Sequence, residues 1–248
     1  FTGNSTQNDG GAIYLWGSGI VDVKASTFTD NESGQWGSGG AICHHSSYPP
    51  SGGSVLTVSD SIFSGNHSAD GAAISFSGDT VTIVDSVFSN NKSDDTGGAI
   101  CTSGTVSISG STFSGNTAEA FGGAIELTGL QATVSNCLIT GNVAHDFDSH
   151  ENFWYGSGGG IRTLCTTTID GVTFSGNTAK NYGGGLDAVI ETTISQSAFY
   201  DNVAEYGGGI WYAGTQSVKI GADLVFQGNT ATGTGGGAGF QNNGDLEI

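Results

Sequence analysis

Three charged residues at equivalent places in successive repeats are the first candidates for chemistry in this chain of 248 residues. Glu126, Arg162 and Asp187 each follow directly after a glycine-rich motif, so stacked repeats would align a carboxylate, a guanidinium and a second carboxylate. Carboxylates two layers apart would lie roughly 9–10 Å from each other. That is near the separation of about 6.5–9.5 Å found in inverting glycoside hydrolases. A surface ion-pair triad contributing about 1 kcal/mol or less per pair is the simpler interpretation, and we favour it over catalysis.

A long insertion at 143–157 contributes the other candidate binding residues. Its side chains lie close in sequence to the repeat that carries Arg162, and loops on a rigid scaffold often carry binding residues. Aromatic and acidic groups together can stack on a sugar and hydrogen bond to its hydroxyl groups. A loop that is merely variable, with no binding role, is the interpretation we favour. The candidate ligand-binding residues are His145, Asp148, His150, Trp154, Tyr155 and Arg162.

The histidines do not indicate a metal site. Those in the 143–157 insertion match no established ligand spacing such as HExxH. In the second insertion, at 43–54, the neighbours His44 and His45 would point to opposite faces of a strand. We therefore predict no metal and no cofactor.

These candidates are positioned by a single sequence repeat. A Phe-x-x-Asn tetrad occurs nine times, with Ile139 replacing the phenylalanine once, and Gly-Gly-Ala/Gly-Ile or a close variant follows after a variable gap. A period of about 25 residues with occasional insertions is typical of a solenoid, in which each repeat packs against its neighbours. The asparagines that end the tetrads are Asn4, Asn31, Asn66, Asn91, Asn116, Asn142, Asn177, Asn202 and Asn229.

Within each repeat, short segments alternate apolar and polar residues, as strands with one buried face do. In the fifth repeat, for example, Val106, Ile108 and Phe113 would face the interior. The sequence thus predicts an all-β fold, a single parallel β-helix domain over 1–248 with about nine coils and no cap at either end. The phenylalanines would form a buried stack, and the asparagines a ladder in which each amide donates to the carbonyl one coil away.

The residue after each glycine motif is predicted to face outward, because it alternates with buried neighbours along its strand. We call these positions the post-glycine column. Its members are Tyr14, Cys43, Ser75, Cys101, Glu126, Arg162, Asp187 and Trp211. Exposure of this column predicts that Glu126→Ala destabilises the fold far less than Asn116→Ala.

Two further outward columns are rich in threonine and resemble the flat face of β-helical ice-binding proteins. Outward threonine is also simply favoured in strands, so ice binding is the lesser alternative. One column reads Asp22, Thr57, Thr82, Ser107, Thr133, Thr168, Thr193, Lys219 and Glu247, and the other reads Val55, Thr80, Thr105, Gln131, Thr166 and Glu191.

The charge balance excludes several partners. The chain has five Lys and Arg residues and 23 Asp and Glu residues, for a formal net charge of −18. Nucleic acids and anionic membranes bind basic patches, so neither is an expected partner. No apolar run reaches the roughly 18–20 residues that span a bilayer. Cys43 and Cys101 would lie roughly 10 Å apart, too far for a disulfide, and we expect all four cysteines to be free thiols.

The paired GGA[ILV] and FxxN motifs resemble the repeats of chlamydial polymorphic outer-membrane proteins and of other bacterial surface proteins. This resemblance implies a right-handed parallel β-helix in a secreted or autotransported passenger region, often an adhesive one. The chain departs from the pattern in its last third, where GGAI becomes GGGI or GGGL.

Together these features predict a non-enzymatic, extracellular or cell-surface stalk, adhesin or filament-forming subunit. A β-helix that binds or hydrolyses polysaccharide through Glu126, Asp187 and the 143–157 loop is the alternative. The expected partners are a glycan, a host or cell-surface protein, further coils of a longer chain, or copies of itself. Head-to-tail stacking would place Phe1-Thr-Gly-Asn4 of one copy after the final strand, at 245–248, of another.

Overall fold

The computed structural model describes residues 1–45, 52–146, 155–214, 216–241 and 246–247. Strands account for the regular structure of these residues, and no helix occurs among them. Each strand pairs with the equivalent strands of the coils before and after it, which produces three sheets of 16, 8 and 7 strands. The predicted parallel β-helix is therefore confirmed.

The largest sheet combines two strand positions of each coil, the strand after the glycine motif and the strand before the tetrad. All its pairings are parallel. Strands β8 (Ile74–Val84) and β11 (Ile100–Ser109) run through both positions and join the two halves. The sheet contains β1 (Ile13–Trp16), β2 (Ile20–Lys24), β4 (Ile42–His45), β5 (Val55–Ser59), β8 (Ile74–Val84), β11 (Ile100–Ser109), β14 (Ile125–Leu127), β15 (Gln131–Ser135), β18 (Ile161–Thr163), β19 (Thr166–Asp170), β22 (Leu186–Ala188), β23 (Thr192–Ser195), β26 (Ile210–Tyr212), β27 (Val218–Ile220), β30 (Ala238–Phe240) and β31 (Leu246–Glu247).

The second sheet is formed by the strands that begin the tetrads, and the third by the short strands that follow the tetrad asparagines. The second contains β3 (Thr27–Thr29), β6 (Ile62–Ser64), β9 (Val87–Ser89), β12 (Thr112–Ser114), β16 (Leu138–Thr140), β20 (Thr173–Ser175), β24 (Ala198–Tyr200) and β28 (Val225–Gln227). The third contains β7 (His67–Ser68), β10 (Lys92–Ser93), β13 (Thr117–Ala118), β17 (Val143–Ala144), β21 (Thr178–Ala179), β25 (Val203–Tyr206) and β29 (Thr230–Thr234).

Left-handed backbone conformations turn the chain between these sheets. In the fourth coil they occur at Asp85 (φ 48°), Asn90 (φ 53°) and Gly97 (φ 63°). Aspartate, asparagine and glycine are the residues that adopt this conformation at least cost. The second glycine of the motif has a different reason, because a Cβ at Gly98 would overlap the carbonyl oxygen of Gly123 in the next coil. The glycine pair therefore combines a turn with a close backbone approach.

The tetrad phenylalanines form a stack along the interior. Ring centroids of consecutive residues such as Phe63, Phe88 and Phe113 lie 4.8 Å apart, with interplanar angles of at most 5°. Ile139 occupies the same column and is also fully buried. Isoleucine and valine side chains from the largest sheet complete one continuous core.

The tetrad asparagines form a fully hydrogen-bonded ladder beside this stack. The Nδ2 of Asn116 donates to Oδ1 of Asn142 in the next coil and to the carbonyl oxygen of Phe88 in the previous one. The Oδ1 of Asn116 accepts from the backbone N–H and the Nδ2 of Asn91. Four of the tetrad asparagines, Asn4, Asn31, Asn66 and Asn91, begin an Asn-x-Ser/Thr glycosylation pattern. Asn31, Asn66 and Asn91 are at most 1% exposed, so their amides are inaccessible to glycosylation in the folded chain. Asn4, in the first coil, is exposed, and its expected burial is wrong.

Candidate functional site

The side chains of the post-glycine column are covered on the solvent side by a second row of residues. This covering column consists of the residues directly before each glycine pair, several of which bridge to one another in parallel. It comprises Asp9, Ser38, Asp70, Thr96, Phe121, Ser157, Tyr182 and Tyr206. Contacts join the two columns, such as Thr96 Oγ1 to Cys101 Sγ at 3.6 Å and the ring of Tyr182 to that of Trp211 at 5.2 Å. A small second interior therefore runs outside the largest sheet.

The predicted exposure of the post-glycine column is wrong. Cys43 is fully buried, Glu126 is 3% exposed and Asp187 is 4% exposed, although Tyr14 in the first coil remains open. The side chains of this column do lie on the face of the strands away from the main core, as strand alternation requires. It is then covered because the chain folds back over its own outer face at the glycine pair. The basis for expecting Glu126→Ala to cost little is therefore lost, since that change removes a buried partner of Arg162.

Glu126, Arg162 and Asp187 meet as a buried triad on three adjacent strands. The Nη1 of Arg162 donates to Oε1 of Glu126 at 3.1 Å, and its Nε lies 3.3 Å from Oδ2 of Asp187. The guanidinium also sits 3.8 Å from the ring centroid of Phe121 in the covering column, a cation–π arrangement. The triad thus ties three coils together, with both carboxylates buried and the side chain of Arg162 16% exposed.

Burial controls the ionisation of the triad. Burial raises the pKa of Glu126 to about 8, with Arg162 opposing and Asp187 reinforcing the shift. It raises the pKa of Asp187 to about 7, again with Arg162 opposing. Two carboxylates share one guanidinium, so the triad is electrically neutral when one of them is protonated. The two groups titrate as a coupled pair.

The triad does not resemble an open pair of catalytic carboxylates. Hydrolysis of a glycosidic bond requires the sugar and a water molecule between an acid and a base. Here the side chain of Arg162 fills that position, and the covering column closes the site from outside. The arrangement is suited to holding coils together.

The structure describes only some of the candidate residues in the 143–157 insertion. Asp148, His150 and Trp154 lie outside the described residues, as do 46–51 of the other insertion. His145 is exposed. Tyr155 stacks on Phe121 with ring centroids 5.3 Å apart, so Tyr155 and Arg162 contact the same covering residue.

A groove outside the covering column was not anticipated from the sequence. It has a volume of about 580 Å³ and crosses several coils. Trp36, on its wall, is 87% exposed. Burial and the charge of Asp70 raise the pKa of Asp95. The one feature of the sequence that could have indicated this groove is the recurrence of acidic residues between the tetrad and the glycine motif. The lining residues are Gln35, Trp36, Ala69, Asp70, Asp94, Asp95, Glu119 and Tyr155.

A second cluster not anticipated from the sequence joins the first two coils. One donor atom each from Asp9, Cys43 and His45 lies within 4.8 Å of the others. His44 points the opposite way, as predicted, where it is 3% exposed and stacks on Phe76 at 4.4 Å. Burial raises the pKa of the Cys43 thiol to about 12. All four cysteines are free, as expected.

The threonine columns fall into register on the largest sheet. Thr57, Thr82, Ser107 and Thr133 pair in consecutive strands. Apart from Ser107 these side chains are half-buried, and Asp22 and Lys219 break the pattern at the column's ends. Ice binding stays a prediction.

The comparison with protein families gives a match to a known repeat. The family model of the Chlamydia polymorphic membrane protein (Chlamydia_PMP) repeat matches residues 1–15, 85–103, 110–128 and 171–188. The chain carries this repeat. The resemblance seen in the motifs is thereby confirmed, and the PMP repeat together with the β-helix fits a protein of the surface or autotransporter type.

The remaining comparisons add no relative. Neither the curated proteins nor the solved structures give a match. Among the described residues, no helix is long and apolar enough to cross a bilayer.

Proposed function

We propose that this chain acts at the cell surface as a rigid β-helical adhesive module that binds carbohydrate without hydrolysing it. The observation that carries the proposal is the groove that combines the exposed Trp36 and the ring of Tyr155 with four carboxylates and the amide of Gln35. The PMP repeat supports a surface location.

The groove has the chemistry that saccharides require. Aromatic rings stack on the C–H faces of a sugar. Carboxylates and amides accept and donate hydrogen bonds to its hydroxyl groups, and charged partners make the stronger bonds. The acidic lining and the net charge of −18 repel uronates and sulfated sugars. The preferred ligand is therefore a neutral or amino sugar.

The scaffold supports binding with little loss of entropy. The groove residues sit on loops between strands that are hydrogen bonded to both neighbouring coils, for example β10 (Lys92–Ser93) with β7 and β13. Lys92 Nζ lies 3.6 Å from carboxylate oxygens of both Asp94 and Glu119, which orients part of the lining. A preorganised site orders few groups on binding.

The buried triad supports binding rather than hydrolysis. Glu126 and Asp187, the carboxylates that first suggested an enzyme, both contact Arg162 beneath the covering column. A sugar in the groove would lie outside that column. Hydrolysis by the groove carboxylates is an outcome that the experiment below can detect.

A glycan array, followed by calorimetry with each hit, tests the proposal. Trp36→Ala is expected to abolish binding, and the double variant Asp94→Asn/Asp95→Asn to weaken it at least tenfold. Trp16→Ala is the matched control, because Trp16 is also exposed, at 68%, but lies on β1 away from the groove.

Three results would contradict the proposal. They are the absence of binding to any glycan, an equal loss in the Trp16 control, and shortening of a bound oligosaccharide in mass spectra. Shortening abolished by Glu119→Gln would assign hydrolysis to the groove instead.

A further inference from the structure

We propose that Asp9, Cys43 and His45 form a binding site for a divalent transition metal ion, with zinc the best fit. The site is separate from the groove and does not depend on the proposed carbohydrate binding. A carboxylate oxygen, a thiol sulfur and an imidazole nitrogen lie within 4.8 Å of one another.

The donor types select the class of metal. Thiolate and imidazole ligands suit zinc and its neighbours in the transition series. Calcium and magnesium require oxygen ligands, of which the cluster supplies one residue. A bound metal would take the place of the thiol proton of Cys43, as metals do at thiolate ligands generally.

The geometry is close to that of a zinc site. Oδ2 of Asp9 lies 3.4 Å from Nε2 of His45. Two ligands each about 2.05 Å from a tetrahedral zinc ion are separated by roughly 3.3 Å. The pair is therefore at coordination distance already, and the thiol of Cys43 faces it from the buried side.

Local structure holds each donor in place. Cys43 and His45 are two residues apart on β4, so their side chains emerge on the same face. Asp9 belongs to the covering column in the preceding coil. Its Oδ1 accepts a hydrogen bond from the backbone N–H of Ser38 at 2.8 Å. That contact leaves Oδ2 for the metal, in the manner of an outer-shell partner.

The site has a closed side and an open side. Cys43 is fully buried, whereas the side chains of Asp9 and His45 are 28% and 37% exposed. Three protein ligands with an open fourth position are typical of sites where water completes the coordination. Because Asp9 lies in the first coil and the other two ligands in the second, a bound metal would join these coils.

Cobalt(II) is the probe for the test, because a thiolate–cobalt bond gives an intense near-ultraviolet absorption that oxygen ligands alone do not. The full chain, stripped of metal and kept reduced without added thiols, is expected to bind one cobalt ion with this absorption. Zinc should displace the cobalt. Zinc should also raise the melting temperature, since ligands of the folded state stabilise it.

Variants assign the ligands. Cys43→Ser is expected to remove the thiolate absorption, and Asp9→Asn and His45→Gln to weaken cobalt binding at least tenfold. The last two changes are at partly exposed positions, so they keep the test valid if Cys43→Ser fails to fold. Cys101→Ser and His67→Gln are the controls, as a post-glycine cysteine and an acid-paired histidine elsewhere.

The inference is overturned if bound cobalt lacks the thiolate absorption. It is equally overturned if Asp9→Asn and His45→Gln bind cobalt like the unaltered chain, or if Cys101→Ser loses the absorption. Carbohydrate binding should survive in Asp9→Asn, so failure of the metal site and failure of the groove are distinguishable.

Discussion

The buried triad predicts that this protein loses stability as the pH rises from about 5 to about 8, and that Glu126→Gln reduces the loss. Glutamine has nearly the shape of a protonated glutamic acid and carries no charge. In the variant, Asp187 is the one titrating carboxyl group left in the triad, and its ionised form makes a neutral pair with Arg162. In the unaltered chain, the triad is neutral only while one carboxyl group keeps a proton.

The loss of stability with rising pH follows from the pKa values of the two carboxyl groups. The pKa of Glu126 rises from an ordinary 4.5 to about 8 on folding, and that of Asp187 from 3.8 to about 7. The folded chain therefore binds more protons than the unfolded chain between these values, so stability falls as pH rises through the window. Each proton that only the folded chain holds corresponds to about 1.4 kcal/mol per pH unit, so the proton on Glu126 accounts for up to about 4 kcal/mol over three units.

Thermal melts at fixed ionic strength between pH 5 and pH 8 measure the effect. For a chain of this size, about 4 kcal/mol corresponds to a difference in melting temperature on the order of 10 °C. We expect Glu126→Gln to match the unaltered chain at pH 5 and to exceed it at pH 8. Glu191→Gln removes the same charge outside the triad and corrects for general repulsion in an acidic protein.

Two results would refute this reasoning. Parallel melting curves for the unaltered chain and Glu126→Gln across the range would mean that the triad takes up no proton. A Glu126→Gln variant less stable than the unaltered chain at pH 8 would mean that both carboxylates are better paired when ionised.

The remaining predictions concern the two interior columns. Asn116→Ala leaves the buried backbone N–H of Asn91 without its acceptor and should lower the unfolding free energy by about 1–3 kcal/mol. Phe113→Ala opens a cavity in the ring stack and should cost about 3–5 kcal/mol. Urea unfolding measures both, with Ser107→Ala on the exposed face as the control; losses no larger than that of the control would show that the columns do not carry the fold's stability.

Much of the fold could be predicted because its interactions repeat. The phenylalanines and asparagines recur at one place in every coil, and identical side chains in register make identical contacts, as Phe88 does with Phe113 and Asn91 with Asn116. The glycine pairs follow the same logic, since each turn needs a left-handed residue and a residue without a side chain. A repeating pattern of this kind can be recognised from the sequence alone.

The candidate sites were harder to predict because they depend on positions that do not repeat. Trp36 has no counterpart in the other coils, and the groove that it lines takes residues from several coils. Asp9 lies far along the chain from Cys43 and His45, and only the stacking of the first two coils brings them together.

The sequence by itself determined the coil and the interior columns, because strand alternation and the repeat period place equivalent apolar residues inside every coil. It also placed Glu126, Arg162 and Asp187 on adjacent strands in the correct register. Whether that column met water was decided only by the tertiary structure. Alternation separates the two faces of a strand but does not say what lies on each. Here Phe121 and its neighbours fold over the outer face, so two carboxylates predicted to be solvated became buried partners of Arg162.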